Sequence, residues 1–459
     1  MIRPRLQQLA IATVRPTVVS RTPVTPRPAL YVAIVYIFIT YTRLPEIVLI
    51  LVGHSVRLAL VAGILALLAV VLSGGLFRML SSKVVLTLLL FTGWLCVCVP
   101  FSVWRGGSAG QMIFWSISLI SLILVAGCVD GIEQCRKAMY VMAVSVLFLE
   151  LLSFALGVSN AVRDLGRFSL VSGTLANPND FATLLLIGLP FCLLLVRTRP
   201  RFSVLWTIGA VTLLLVPITV VRTGSRGGLL AFAIMFALYF ASVPLLEKVP
   251  LGAAAVMLAV VAALFSNSNA LERYKTIFVS SDAQYQENSV EASAALSTAT
   301  RKEMFRRSIV MTFQHPILGV GPGMFTVGDA KDVEGTNRKA LWRETHNTFT
   351  EISAEAGLPA LFLYLAALFF CFQTARHGRK FAAQYPEMRL VGNMAICLRL
   401  STVAFCITGM FASNAYHFYF PLVAGLCAAF ERALKVEMLA RGTRAIPQPQ
   451  ITLHSATLR

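Results

Sequence analysis

The chain has 459 residues, of which 57% are hydrophobic and 13% charged, with a mean hydropathy of +0.75. Soluble domains carry roughly 25% charged residues, so the composition excludes an ordinary soluble protein and points to an integral membrane one. The formal charge of +19 is read as membrane topology, and no nucleic-acid partner is expected.

Residues 1–28 are rich in Arg, Pro and Thr and contain no Asp or Glu. They read as a disordered cytoplasmic tail lying near anionic lipid. A cleaved signal peptide is disfavoured because its apolar centre, "LAIATV", is short and is followed by Arg15 and a Pro-rich run.

Apolar stretches then recur near residues 29–42, 57–73, 84–100, 111–128, 138–157, 179–196, 202–221, 226–243 and 250–265. Three more follow near 357–374, 391–411 and 416–432. Each approaches the roughly 20 residues that a helix needs to cross a hydrocarbon core. Alternating ten-residue strands are absent, which argues against a β-barrel. The predicted class is an all-α polytopic membrane protein of about twelve transmembrane helices. The polar break "YTRLPE" shortens the first span, so the residues up to Val56 read either as a dipping segment or as part of that helix.

With the N-terminus in the cytoplasm, the inside segments hold 22 Lys and Arg and the short outside connections seven. The positive-inside rule therefore puts both termini inside, the C-terminal tail being 433–459. Residues 29–265 form the first helical block, 266–345 one long periplasmic loop containing short amphipathic helices, and 346–432 a periplasmic helix start and the last three spans. Long loops in compact proteins are usually functional or disordered.

Within the long loop, "SSDAQYQENSVEASAALSTAT" reads as a mobile linker. In "RKEMFRRSIVMTFQHPILGVGPGMF", Met304, Phe305, Ser308, Ile309 and Thr312 make one helical stripe. The expectation is an amphipathic helix at the membrane boundary, stopped by His315 and Pro316. No strand precedes "GVGPG", so it reads as a tight turn rather than a nucleotide motif. In "LWRETHNTFTEISAEAG", His346, Thr350, Ser353 and Gly357 recur at i, i+4, i+7 and i+11, a small polar face unsuited to lipid. His346 then stands two to three turns outside the next span, either as a functional group or as a loop cap. Arg226, in "VVRTGSRGGLLAFAIMF", ends a span beside Gly227 and Gly228, which permit close approach of a backbone or ligand. A snorkelling interfacial anchor is the plainer reading of it.

All nine cysteines fall outside the long loop, and no disulfide framework is implied. The six histidines show no i, i+4 pair, and no Asp-x-Asp or P-loop occurs. No metal or other cofactor is expected.

Together these segments resemble the O-antigen ligase and O-antigen polymerase family of bacterial envelope proteins. The resemblance rests on "GTLANPNDFATLLLIGLPF", "TGSRGGLLA", Arg301 with an aromatic four residues later in "RKEMF", "HPILGVGPGMF" and "THNTFTEISAEAGLPALFLYL". Phe305 stands where the family often has Trp. The motifs cover about 170 residues, and it is their order around one long loop that makes the match specific.

The resemblance implies glycosyl transfer at the periplasmic face of the bacterial inner membrane. A glycan leaves undecaprenyl diphosphate for an acceptor hydroxyl, on lipid A-core in a ligase or on another lipid-linked glycan in a polymerase, with ligase slightly favoured here. The lipid bilayer, the lipid-linked donor and the acceptor are the expected partners. Arg226 and Arg301 are expected to stabilise the departing diphosphate, with Arg222 a weaker third cation. His346 is the expected general base, Glu344 and Glu355 its rivals, and a protonated His346 on phosphate the alternative. From another class, a transporter of a lipid-linked or anionic solute would use the same arginines as binding sites.

Overall fold

The structure is a computed structural model that describes residues 27–53, 58–160, 167–171, 173–264, 274, 290–334 and 339–444. The expected basic tail falls almost wholly outside the described residues, as does the first part of the expected mobile linker, residues 280–289.

A helix lies over every one of the twelve apolar stretches. In chain order the helices are α1 (Arg27–Tyr41), α2 (Leu44–Val52), α3 (Leu58–Leu72), a single turn α4 (Gly75–Met79), α5 (Lys83–Cys98), α6 (Arg105–Cys128) and α7 (Gly131–Leu156). After a hairpin come α8 (Pro178–Thr198), α9 (Val204–Arg222), α10 (Arg226–Ser242), α11 (Leu245–Leu264), α12 (Val290–Gln314) and α13 (Phe325–Val333). The last three are α14 (Thr348–Gln384), α15 (Arg389–Gly409) and α16 (Tyr419–Arg444). Among the described residues seven helices are long and apolar enough to cross a membrane, or eight if one bent pair counts as a span. The protein is thus a nearly all-α, multi-pass membrane protein. Helices dominate because lipid offers no partner to an unpaired backbone N–H or C=O.

The bent pair is α1 and α2, which meet at 61°. Arg43 turns the chain in the left-handed region (φ 54°), where a non-glycine residue is uncommon. Its side chain pairs with Glu46 at 2.6 Å and hydrogen-bonds Thr174. Glu46 in turn accepts from the Thr174 backbone N–H and hydroxyl, both at 2.9 Å. The first expected span is therefore a kinked element pinned to the loop before α8.

The chain departs from all-helix once among the described residues. Gly157–Asn160 and Arg167–Leu170 form an antiparallel two-stranded hairpin, β1 and β2. It ends where α8 begins, and α8 is the most enclosed of the candidate spans, with 78% of its apolar window buried. It packs between α7, α9 and α15. On the other side α14 packs on α5, α15 and α16, and α16 on α6 and α7.

The described part of the long loop is largely helical. Helix α12 starts at Val290, inside the expected linker, and runs to Gln314, where His315 and Pro316 end it as anticipated. Its buried face is Met304, Ser308, Met311 and Thr312, whereas Phe305 is 42% exposed. The predicted stripe is thus rotated slightly, toward i, i+4, i+7 and i+8. The partner is also protein: Thr312 and Ser353 share a hydrogen bond of 2.8 Å between α12 and α14. Arg307 reaches from α12 to both carboxylate oxygens of buried Asp329 in α13 at 2.9 Å.

The turn 315–325 wraps the start of α14. Val320 N–H donates to the Ala354 carbonyl (3.0 Å), Gly321 N–H to that of Glu355 (2.8 Å) and Leu358 N–H to that of Pro316 (2.8 Å). Gly357 breaks α14 at φ 77°, ψ 177°, a region essentially restricted to glycine. Residues 348–356 therefore form a short arm set off from the long helix 358–384. A Cβ at Gly357 would lie 2.0 Å from the Ile317 carbonyl oxygen. Gly357→Ala should accordingly destabilise the protein by at least ~2 kcal/mol, read as a clear fall in the melting temperature of the purified protein; an unchanged melt would contradict this account of the break.

Candidate functional site

The site assembles where α8, α10, α12 and the arm of α14 start or end. Asn177 caps α8, accepting from Asn179 N–H at 3.0 Å, with Pro178 at the first helical position. The Asn179 side chain then ties two motifs together. Its Oδ1 accepts from Ser225 Oγ at 2.9 Å and from Arg167 Nη2 at 3.0 Å. Arg167 also donates through Nε to the Thr223 carbonyl at 2.9 Å. Ser225 caps α10 through Gly228 N–H at 3.2 Å, so "NPND" holds the "TGSRGG" turn and fixes the residue after it, Arg226. Gly227 permits the close approach of Phe411, whose ring carbons would lie 2.8 Å from a Cβ there.

Half-buried Arg226 donates through Nη2 to Thr298 Oγ1 at 2.8 Å. Thr298 lies one turn before Arg301 on α12, so the two expected cations belong to one neighbourhood. Arg301 and Arg343 both act electrostatically on His346. Arg226, Arg301 and His346, separated by up to 120 positions in sequence, therefore converge.

His346 departs from its expected setting. It precedes the helix, because Asn347 is the N-cap and accepts from Phe349 N–H at 3.0 Å and Thr350 N–H at 3.1 Å. His346 itself has φ 54°, so the i, i+4 face begins at Thr350 and not at the histidine. Its backbone N–H donates to Ser413 Oγ at 2.9 Å. Burial, followed by the charges of Arg301 and Arg343, lowers its pKa from 6.5 to about 4. The ring is therefore neutral near pH 7, which disfavours the alternative of a protonated phosphate ligand.

The remaining candidates separate. The Arg222 guanidinium is engaged with the Phe168 ring, on which it stacks at 4.2 Å. Glu355 is occupied as a scaffold: it accepts from Gly323 N–H (2.7 Å), Phe325 N–H (3.0 Å) and Tyr416 OH (2.7 Å). Glu344 stands exposed at the mouth of a cavity of about 340 Å3. The surrounding protein desolvates its carboxyl and raises the pKa, against a smaller opposing hydrogen bond from Ser413. Gln111, Glu351, Tyr416 and His417 share that cavity, and sequence reasoning missed all four. Only their polarity at helix ends could have signalled them, since they come from three separate segments.

A second, larger cavity of about 640 Å3 lies between α8, α9, α10 and α11 and is lined almost wholly by apolar side chains. Val221, Leu229 and Tyr274 frame its end beside Arg222 and Arg226, and Leu251, Leu258 and Tyr239 lie along its length. Tyr274 OH donates to the Val221 carbonyl at 3.1 Å. The combination can hold an apolar chain with an anionic head at the arginines. Among the described residues, no three His, Cys, Asp or Glu are grouped to hold a metal ion.

Residues 210–365 match the family model described as O-Antigen ligase. That segment is similar to an O-antigen ligase family domain. The match spans Arg226, Arg301, Glu344, His346 and Glu355, and it favours glycosyl transfer of the ligase or polymerase type over transport. "GTLANPNDF" lies outside the matched segment, although Asn179 is hydrogen-bonded to it. No curated protein matches the chain closely enough to count as a relative.

The neutral state of His346 has a kinetic signature. A group with its pKa lowered to about 4 stays in the base form as pH falls through 6.5, so the acid limb of kcat/KM, which reports the free enzyme, should lie well below pH 6. A limb centred near 6.5 would contradict the expected role of His346 as base in this buried, cationic setting.

Proposed function

We propose that this protein transfers a glycan from undecaprenyl diphosphate to an acceptor hydroxyl at the periplasmic face of the inner membrane, with both termini cytoplasmic. Ligation to lipid A-core is the reading favoured here, and elongation of a lipid-linked glycan is the neighbouring reaction. The supporting observation is the convergence of Arg226, Arg301 and His346, with an apolar cleft whose lining includes Leu229, one turn from Arg226.

The cleft suits part of a polyprenyl chain, and the arginines suit its diphosphate. As the acceptor oxygen attacks the anomeric carbon, the bond from that carbon to the diphosphate oxygen breaks and both electrons leave with the lipid diphosphate. Arg226 and Arg301 stabilise the charge that grows there, and their contribution is larger in the transition state than in the ground state. Arginine fits because its fork stays charged and can bind phosphate oxygens in pairs. The acceptor proton passes to His346.

Donor binding also tunes the base. Burial depresses the imidazole most and the arginines add to it; the diphosphate offsets the arginines' share, so the pKa of His346 rises when the donor arrives. The base strengthens where a glycosyl donor is already in place. No cofactor is needed, because the glycosyl diphosphate bond supplies the driving force.

His346→Ala should lower transfer by about 10²- to 10⁴-fold while donor binding and protein level hold; unchanged turnover removes it from the mechanism. Arg301→Ala should impair donor use more than Arg301→Lys, which retains the charge but loses the fork. Equal activity of parent, Lys and Ala variants would overturn the phosphate role.

A further inference from the structure

The cavity of about 340 Å3 is unlike the cation cluster beside it. No Lys or Arg lines it; three carboxylates do, those of Glu344, Glu351 and Glu355. Glu355 is spent on Gly323, Phe325 and Tyr416. Glu351 accepts from Ala415 N–H at 3.2 Å through one oxygen, and a carboxyl group has more hydrogen-bonding capacity than that one contact uses. Acceptor capacity is therefore left over in an enclosed space.

His417 gives an independent sign of a missing partner. Its ring is fixed between Phe114, edge-on at 5.4 Å, and Tyr419, stacked at 5.4 Å. Its Nδ1 is shut off from solvent and has no hydrogen-bond partner. Buried polar atoms are rarely left so, and His417 lines this cavity. Thr345 and Ser413 add hydroxyls that can donate or accept, and Phe114 adds an aromatic surface.

These groups describe a ligand. Carboxyl-lined walls hydrogen-bond hydroxyls or an amine, whereas a phosphate or carboxylate buried there would lose its water with no lining cation to offset its charge. An aromatic side chain among carboxylates and hydroxyls suits a ring with polar edges and apolar C–H faces. The volume is at the small end of ligand pockets, whose range is roughly 300–1,000 Å3, and fits a short saccharide end rather than a lipid. The segment 344–346 separates the two environments: Glu344 opens on this cavity, while His346 responds to Arg301 and Arg343. Ser413 braces that segment, through Thr345 at 3.2 Å and His346 N–H at 2.9 Å.

We propose that this cavity is the subsite for the terminal sugar of the acceptor, taking a neutral or amino sugar and rejecting a phosphorylated or acidic one. The inference rests on the transferase reading for the word acceptor, but sugar binding can be measured without turnover. Glu351 and His417 hold the sugar, and Gln111 borders it.

The test is saturation-transfer NMR on the full-length protein in lipid nanodiscs, with methyl glucoside, methyl glucosaminide and methyl glucuronide as separate probes. The first two should bind and the glucuronide should not. Glu351→Gln and His417→Ala should each weaken binding by about tenfold, the scale of one lost hydrogen bond to a charged or buried group. Gln111→Ala, which removes no backbone contact, should weaken it too and guards against misfolding of the others. Glucuronide binding as tight as glucoside, or no sugar binding in a preparation that still transfers glycan, overturns the subsite and leaves the transferase intact. Sugar binding lost in the three variants, in a protein that transfers no glycan, supports the subsite and removes the transferase reading.

Discussion

The break at Gly357 is the constraint on which the site depends. Its backbone conformation frees nine residues of α14 from the long membrane helix and makes room for the carbonyl of Ile317 against it. The turn 315–325 then docks on that short arm through three backbone hydrogen bonds, and Glu355 completes the clasp from inside. α12 ends at this turn and α13 begins after it, so the position of Arg301 is set by the same contacts. The arm starts at Asn347, which fixes where His346 sits. One glycine thus couples the placement of His346 and Arg301, which are 45 positions apart in sequence.

Charge is divided across this scaffold. Arg301 and Arg343 act on His346 and Arg226 bonds Thr298, one turn from Arg301, whereas Glu344, Glu351 and Glu355 line the adjoining cavity. Such a division suits a reaction joining an anionic donor to a polyhydroxy acceptor, because cations can meet the donor and carboxyls can hydrogen-bond the acceptor. The proposed role of His346 fits this arrangement. A neutral imidazole adds no charge to either side at rest, yet can take a proton once the donor has offset the arginines.

Much of this was legible in the sequence, for physical reasons. Apolar length reports helices directly in a lipid environment, so each expected stretch coincides with one. The breaks were also written locally: Pro316 ends α12, Asn177 and Pro178 start α8, and the glycines of "GVGPG" adopt positive φ at 319, 321 and 323. What was hidden depends on partners. The rotation of α12 that exposes Phe305 follows from packing on protein, and a membrane surface would have favoured the aromatic stripe. His346 reads as helical by spacing, but the Asn347 cap excludes it, a competition decided by hydrogen bonds to the 410–414 loop. The acidic cavity draws Gln111, Glu351 and His417 from three segments, and no local pattern can announce such a meeting.

The most direct measurement of the central claim is transfer by the purified protein reconstituted in lipid, given a glycan on undecaprenyl diphosphate with lipid A-core, and in a separate vessel more donor alone. The account predicts that free undecaprenyl diphosphate and a glycosylated acceptor appear together, on lipid A-core for a ligase or as a lengthened lipid-linked glycan for a polymerase. A donor that stays intact with both acceptors, under conditions in which a known transferase consumes it, would contradict the account.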